Sequence, residues 1–141
     1  KRRAQNEADK FVLDGDCVDV TVSGNASSSA AVFKQFLDAL ALSKQPRASL
    51  WQLYQGWIDT LVALQASFIS GTFNQATTRE AAIARREALQ KCGELEARIA
   101  MLRNVAGKEK QMGRRVELNL EIKSLVAERV LVVASLSGRD H

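Results

Sequence analysis

Histidine and proline are nearly missing from this sequence, since each occurs once among 141 residues. The one histidine, His141, is the last residue, so no Ser-His-Asp or Cys-His arrangement for nucleophilic catalysis can be assigned. Cysteine occurs twice, and Cys17 and Cys92 are too far apart for a C-x-x-C pair. Free thiols are therefore expected, which favours a reducing, cytoplasmic setting. We expect no catalytic residue, no cofactor and no metal site.

Two further features are missing, a calcium-type acidic loop and a long uncharged apolar run. Asp14, Asp16 and Asp19 lack the central Gly and the distal Glu of a calcium loop. Residues 50–70 have the length of a membrane span, but Asp59 lies at their middle. This segment is predicted to be a buried helix, and we expect no membrane partner.

The first part of the chain has β character. Residues 11–13 are apolar, Asp-Gly at 14–15 is a two-residue turn signal, and valine then occupies every second position from 18 to 22. The chain opens on Lys-Arg-Arg without an initiator Met. We therefore interpret residues 1–25 as the β remnant of a preceding α/β portion. Whether that portion is an enzyme stays open.

The apolar period changes from two to 3.6 after a Ser-rich linker, and residues 26–73 are predicted to form two packed helices. The first spans about 30–42 and ends before Pro46. The second, from about 49 to 70, is capped by Ser49 and closed by Gly71. The apolar faces predicted for the two helices comprise Phe33, Phe36, Leu37 and Leu40, and then Leu50, Leu53, Trp57, Leu61, Leu64 and Phe68.

Residues 74–141 are predicted to form a long helical hairpin with a flexible tail. Thr77 and Glu80 have the spacing of a capping box, which would begin the first of its helices. A coiled-coil seam follows, formed by Cys92, Leu95, Ile99, Leu102 and Ala106. In a continuous helix the same seam would next contain Glu109, Gly113, Val116, Leu120 and Lys123, and two charges and a glycine there argue against it. The apolar register instead restarts at Leu118, Ile122, Leu125 and Val132.

This restart predicts an antiparallel hairpin whose bend lies between residues 107 and 114, where Gly107 and Gly113 tolerate positive φ. The fold class that we expect is α+β and mainly α: short N-terminal strands, two packed helices, and a coiled-coil-like hairpin, in one compact domain.

The chain's net positive charge lies at the predicted bend. Residues 103–115 carry five cations and one anion, a net charge of +4, and the whole chain also carries +4. The cations are candidate contacts for nucleic-acid phosphates. They are Arg103, Lys108, Lys110, Arg114 and Arg115. The alternative, a solvated bend without a ligand, explains the same residues, and no aromatic side chain in this segment could stack on bases.

The end of the second hairpin helix carries apolar residues that the two-helix seam leaves over. They are candidates for a protein interface or for self-association, and they are Val126, Val130, Val133 and Leu136. The helices at 30–70 could cover them within the chain, so both arrangements stay open.

Two runs of sequence resemble an uncharacterised bacterial family, domain of unknown function 4391. They are KEKQMGRRVELNLEIKSL from Lys108 and the residues Leu50, Leu53, Tyr54, Gln55 and Trp57 upstream. The similarity covers roughly residues 1–135 and corresponds to the C-terminal two-thirds of the family. Gly113 stands where the family has Asn, and either residue suits a left-handed turn.

The resemblance implies no catalytic residue. It implies an association with helicase or methyltransferase genes of restriction or defence systems. We therefore expect a bacterial, non-catalytic accessory module of a DNA-processing system, with a basic tip that contacts nucleic-acid backbone. The alternative is a protein interaction or oligomerisation module without nucleic-acid binding.

Overall fold

The computed structural model describes residues 2–3, 11–12, 18–21 and 30–137, and the described residues are mostly helical. A 3₁₀ turn at Leu42–Lys44 separates the first two helices. The four helices are α1 (Ala30–Leu40), α2 (Leu50–Ser70), α3 (Arg79–Lys108) and α4 (Met112–Leu136).

The predicted α+β class is wrong, because the described chain is all-α. Its β content is one antiparallel contact of two residues, in which Arg2–Arg3 pairs with Phe11–Val12. The strand predicted at 17–22 does not form at 18–21, where the backbone has no regular structure. Val20 packs instead against the core between α1 and α2, so its apolar position serves helix packing and not a sheet. The predicted 14–15 turn and the Ser-rich linker lie outside the described residues.

Capping residues set the bounds of α2 as predicted. The Ser49 hydroxyl accepts a hydrogen bond from the Gln52 N–H at 3.2 Å, which satisfies one of the free amides at the helix start. Gly71 closes the helix in the left-handed conformation with φ of 78°, and its N–H donates to the Ser67 carbonyl. At α3 the prediction is one residue off, because Thr78, and not Thr77, accepts from the Ala81 N–H. The predicted capping box therefore does not form.

A small apolar core joins α1 to α2. Val32, Phe36 and Leu64 are buried together, and Phe73 meets Phe36 edge-on at 6.3 Å between ring centroids. The Trp57 indole N–H donates to the Leu40 carbonyl at 3.2 Å, which ties α2 to the end of α1. We call α1, α2 and the loops around them the base.

The predicted apolar faces of the base are only partly buried. Phe33 and Leu37 on α1 are 40% and 51% exposed, and Leu50 and Phe68 on α2 are 67% and 46% exposed. Burial in α2 is concentrated in its second half, at Thr60, Val62, Ala63, Leu64, Ala66 and Ser67. As a group, these residues face α1, α3 and α4. A position of α2 is therefore buried where another helix packs against it.

Contacts between α2 and α3 show that the two helices run in the same direction. The Arg86 guanidinium pairs with the Asp59 carboxylate, and seven residues further along α2 Ala66 packs with Cys92 of α3. Leu136, near the end of α4, completes this second cluster. The open end of the hairpin is therefore attached to the base, and its bend points away from α2.

The predicted antiparallel hairpin is confirmed. Lys91 pairs with Glu128 and Arg98 with Glu121, so seven residues forward on α3 correspond to seven residues back on α4. All five predicted seam residues of α3 are buried, and Leu118, Ile122 and Leu125 of α4 pack with Leu102 and Ala106. Supercoiling of the pair stays a prediction.

Beyond Cys92 the hairpin forms an arm whose core comes from α3 and α4 alone. From residue 92 to residue 108 a helix rises about 24 Å at 1.5 Å per residue. The arm therefore carries its bend well beyond the base. Within the described residues, none of the helices has both the length and the apolar content that crossing a membrane requires.

Gly56 is required by a close approach within the base. A Cβ at this position would lie 2.4 Å from Oε1 of Gln45 and 2.8 Å from Cδ of Pro46. Gln45 cannot move away freely, because it is buried and its Nε2 donates to the Ala39 carbonyl at 2.6 Å. The helix therefore carries a glycine where the 3₁₀ turn crosses it.

We predict that Gly56→Ala lowers the free energy of unfolding by about 1–3 kcal/mol, because the methyl group overpacks this crossing. Gly93→Ala is the matched control, since Gly93 lies in α3 and a Cβ added there would meet no other atom within 4 Å. That change should raise stability by about 0.5–1 kcal/mol through helix propensity. Urea denaturation followed by circular dichroism measures both free energies of unfolding. Equal effects of the two substitutions would contradict the close approach of Gly56 to Gln45 and Pro46.

Candidate nucleic-acid interface

The bend of the hairpin consists of residues 109–111, inside the predicted interval. Glu109 and Gln111 have extended backbones, with φ of −73° and −80°. The Glu109 carboxylate accepts a hydrogen bond from the Gln111 N–H at 2.8 Å, which holds the bend closed. The predicted role of glycine is wrong: Gly107 and Gly113 lie inside helices, and among the described residues Gly71 alone has positive φ.

The structure brings the five predicted cations to this end of the arm, which we call the tip. Arg103 lies on α3 just over a turn before its end, and Lys108 is the last residue of that helix. Lys110 lies in the bend, and Arg114 and Arg115 are in the first turn of α4. All five side chains are exposed. The five cations are thus gathered at one end of the arm.

Only one of the five cations has an acidic partner in the described part of the chain. Arg114 donates to Glu117 at 2.8 Å, and this hydrogen bond, followed by the attraction of the two charges, raises the pKa of Arg114. Both side chains are more than half exposed, so the pair is open to exchange with a solvent anion. The other four cations form no ion pair with a described residue.

The shaft of the arm differs from its tip, because three of its cations are neutralised and only Lys123 has no ion pair with a described residue. Lys91, Arg98 and Arg129 each pair with a carboxylate on the opposite helix, at 2.6–2.7 Å. The hydrogen bond that Lys91 donates to the Glu128 carboxylate, followed by the attraction of that charge, raises the pKa of Lys91. Charge that could attract an anion is therefore concentrated at the tip.

The start of α4 adds to the positive potential of the tip. Its first turn contains no acidic residue, and Gln111 makes no side-chain cap. The first amides of a helix have no partner within the helix and carry roughly half a positive charge. Arg114 and Arg115 place two more positive charges at the positive end of this helix dipole. Their repulsion costs stability, and a bound anion would relieve it.

The four predicted interface residues fall into two groups. Leu136 is buried and Val133 packs beside it against the base, so both contribute to the interior of the chain. Val126 and Val130 are 37% and 59% exposed.

Leu120 and Leu131 of α4, which are not among the predicted interface residues, are also exposed, at 62% and 72%. The continued seam of α3 contains Leu120 and could have identified it. Trp51 and Tyr54 on α2 are 66% and 53% exposed.

Two further features of the described residues concern metal binding and surface pockets. They contain no group of three His, Cys, Asp or Glu side chains placed to hold a metal ion. A surface pocket of about 350 Å³ between α1 and the loop after α2 is lined by polar side chains such as Asp38, Lys44 and Gln75. It contains no nucleophile paired with a base.

Comparison with known proteins identifies the family. Residues 1–128 match the model of the family described as Domain of unknown function (DUF4391), and the chain belongs to that family. No curated protein matches the chain. No solved structure matches it either.

The missing cap of α4 leads to a prediction about stability. Gln111→Ser should raise the free energy of unfolding by about 0.5–1 kcal/mol, because a serine hydroxyl can accept from a free amide at the helix start. Gln65→Ser is the control, since Gln65 is exposed inside α2, where serine costs a few tenths of a kcal/mol. Chemical denaturation compares the two. Destabilisation by both changes would show that α4 does not begin at this point.

Proposed function

We propose that this chain is a non-catalytic accessory module that contacts nucleic-acid backbone through the tip of its helical arm. The observation that supports this most is the contrast in charge along the arm. Three shaft cations are paired across the two helices and Lys123 is not, whereas four of the five tip cations have no acidic partner among the described residues. An unpaired cationic cluster at the far end of an arm can reach the phosphates of an extended polyanion without hindrance from the base.

The chemistry of the tip favours phosphate contacts over base readout. Lys108, Lys110, Arg114 and Arg115 supply charge, and the α4 amides supply N–H donors. Residues 103–115 contain no aromatic side chain that could stack on an unpaired base. Binding should therefore be indifferent to sequence.

The setting of this activity follows from the family resemblance. A DNA-processing or restriction and defence system is proposed, with a helicase or methyltransferase as protein partner. The chain would position such an assembly on nucleic acid and perform no chemistry itself. A second candidate function, protein docking without nucleic acid, is favoured by the exposed apolar side chains of α4.

We predict salt-dependent binding to duplex DNA. If about four phosphates are neutralised, the logarithm of affinity should fall with the logarithm of salt concentration at a slope of roughly −3.6. Arg114→Ala together with Arg115→Ala should reduce this slope by nearly half. Fluorescence anisotropy of a labelled duplex at several salt concentrations measures both values.

The matched control for this titration is Lys34→Ala with Arg47→Ala. Both residues are exposed, lie in the base and have no ion pair in the described part of the chain, so the control removes the same charge away from the tip. Its slope should equal that of the wild type. If both double variants lose the same part of the slope, or if the wild type does not bind DNA at low salt, the tip is a solvated bend without a ligand.

Glu117 competes with phosphate for Arg114, and this leads to a further prediction. Glu117→Gln should raise affinity for duplex DNA roughly twofold to tenfold, because it frees the guanidinium and removes a negative charge near the tip. Glu128→Gln makes the same charge change on the shaft, where Glu128 pairs with Lys91, and should have a smaller effect. Equal gains would indicate that total charge, and not the tip, governs binding.

A further inference from the structure

α4 carries two heptad stripes on nearly opposite faces. Its inner stripe, which includes Leu118, Ile122 and Leu125, packs against α3. A second stripe lies two residues earlier along the chain, and two residues turn a helix by about 200°. This outer stripe consists of Val116, Leu120, Lys123, Ala127, Val130 and Ala134.

The outer stripe is uncovered by the described part of the chain. Val116, Leu120 and Val130 are 50%, 62% and 59% exposed, and Met112, Val126 and Leu131 beside them are 37–73% exposed. These six side chains expose apolar area on the order of 600 Å² per copy, close to the roughly 800 Å² that each partner contributes to a standard interface. Patches of this size on a soluble protein mark interaction surfaces.

The outer stripe is complementary in side-chain size to a second copy of itself that runs in the opposite direction. An antiparallel copy centred between residues 123 and 127 places Val116 opposite Ala134, Leu120 opposite Val130, and Lys123 opposite Ala127. Each pairing sets a larger side chain against a smaller one, which lets the two surfaces interdigitate. The small Ala127 leaves room for the Lys123 stem, whose ammonium can extend to solvent.

The charges beside the outer stripe favour a second copy of this apolar stripe over a highly charged partner. Glu121 and Glu128, on one flank of α4, already pair with Arg98 and Lys91 of the same chain. Lys123 is the one charged residue within the stripe itself. Apart from Lys123, the stripe therefore offers apolar packing.

We propose that a second copy of this chain packs antiparallel on the outer stripe of α4, about a two-fold axis near residue 125. The same patch on both copies forms such an isologous contact, which closes as a dimer. The two tips then lie at opposite ends of the paired α4 helices. This proposal goes beyond nucleic-acid binding and does not depend on it.

Sedimentation equilibrium of the 141-residue chain between about 1 and 100 μM tests the proposal. The wild type should dimerise, and Leu120→Glu should raise the dimer dissociation constant at least about tenfold, because it places a carboxylate in an apolar contact. Val130→Lys alone should also weaken the dimer. Combining Leu120→Glu with Val130→Lys should restore much of the lost affinity. In the antiparallel dimer the new glutamate of each copy lies opposite the new lysine of the other copy, so two ion pairs can form.

Met101→Glu is the control, because Met101 is similarly exposed at 58% but lies on α3. It should leave the dissociation constant unchanged, and circular dichroism should report wild-type helicity for all variants. A wild type that stays monomeric throughout, or a dimer unaffected by Leu120→Glu, overturns the proposal. A double variant no tighter than the weaker single one overturns the antiparallel register.

Discussion

The apolar seam between α3 and α4 is the constraint on which the rest of this structure depends. Five buried residues of α3 step along one face, and a helix that continued past Ala106 would bring Glu109, Gly113 and Lys123 to that face. Burying two charges there would cost more than a break in the helix. The chain therefore turns at residues 109–111 and packs a new apolar stripe against the old one. Every property of the tip follows from the position of this turn.

The turn separates two electrostatic regions that are adjacent in sequence. Along the shaft, antiparallel packing brings each of three cations to a carboxylate of the opposite helix. At the tip there is no opposite helix beyond the bend, so Lys108, Lys110 and Arg115 face solvent. The unpaired charge is thus a consequence of geometry as well as of composition. The sequence pattern shows the composition of this cluster, and the structure shows which of its members have a described partner.

A two-helix arm also leaves apolar surface that its own seam cannot use. The base covers the end of α4 through Val133 and Leu136, but α2 ends at Ser70 and the rest of α4 extends past it. Val130, Leu120 and Val116 are exposed because they lie on the face of α4 opposite the one that packs against α3. Trp51 and Tyr54, near the start of α2, are exposed as well. Amphipathic periodicity identifies apolar residues but not how many of them find a neighbour.

Local signals in the sequence were sufficient for the helices, their main caps and the bend. Ser49, Gly71 and the seam residues of α3 act through neighbours within a few turns, so their roles can be worked out from spacing alone. Fold class could not be obtained in this way, because the valines near residue 20 have strand spacing but no strand at 18–21 to pair with. Burial of Val133 and exposure of Val130 likewise depend on which face of α4 is turned toward the other helices. The sequence by itself determined which face of each helix is apolar. Only the tertiary structure decided which parts of those faces are covered, because burial requires a partner surface that periodicity does not encode.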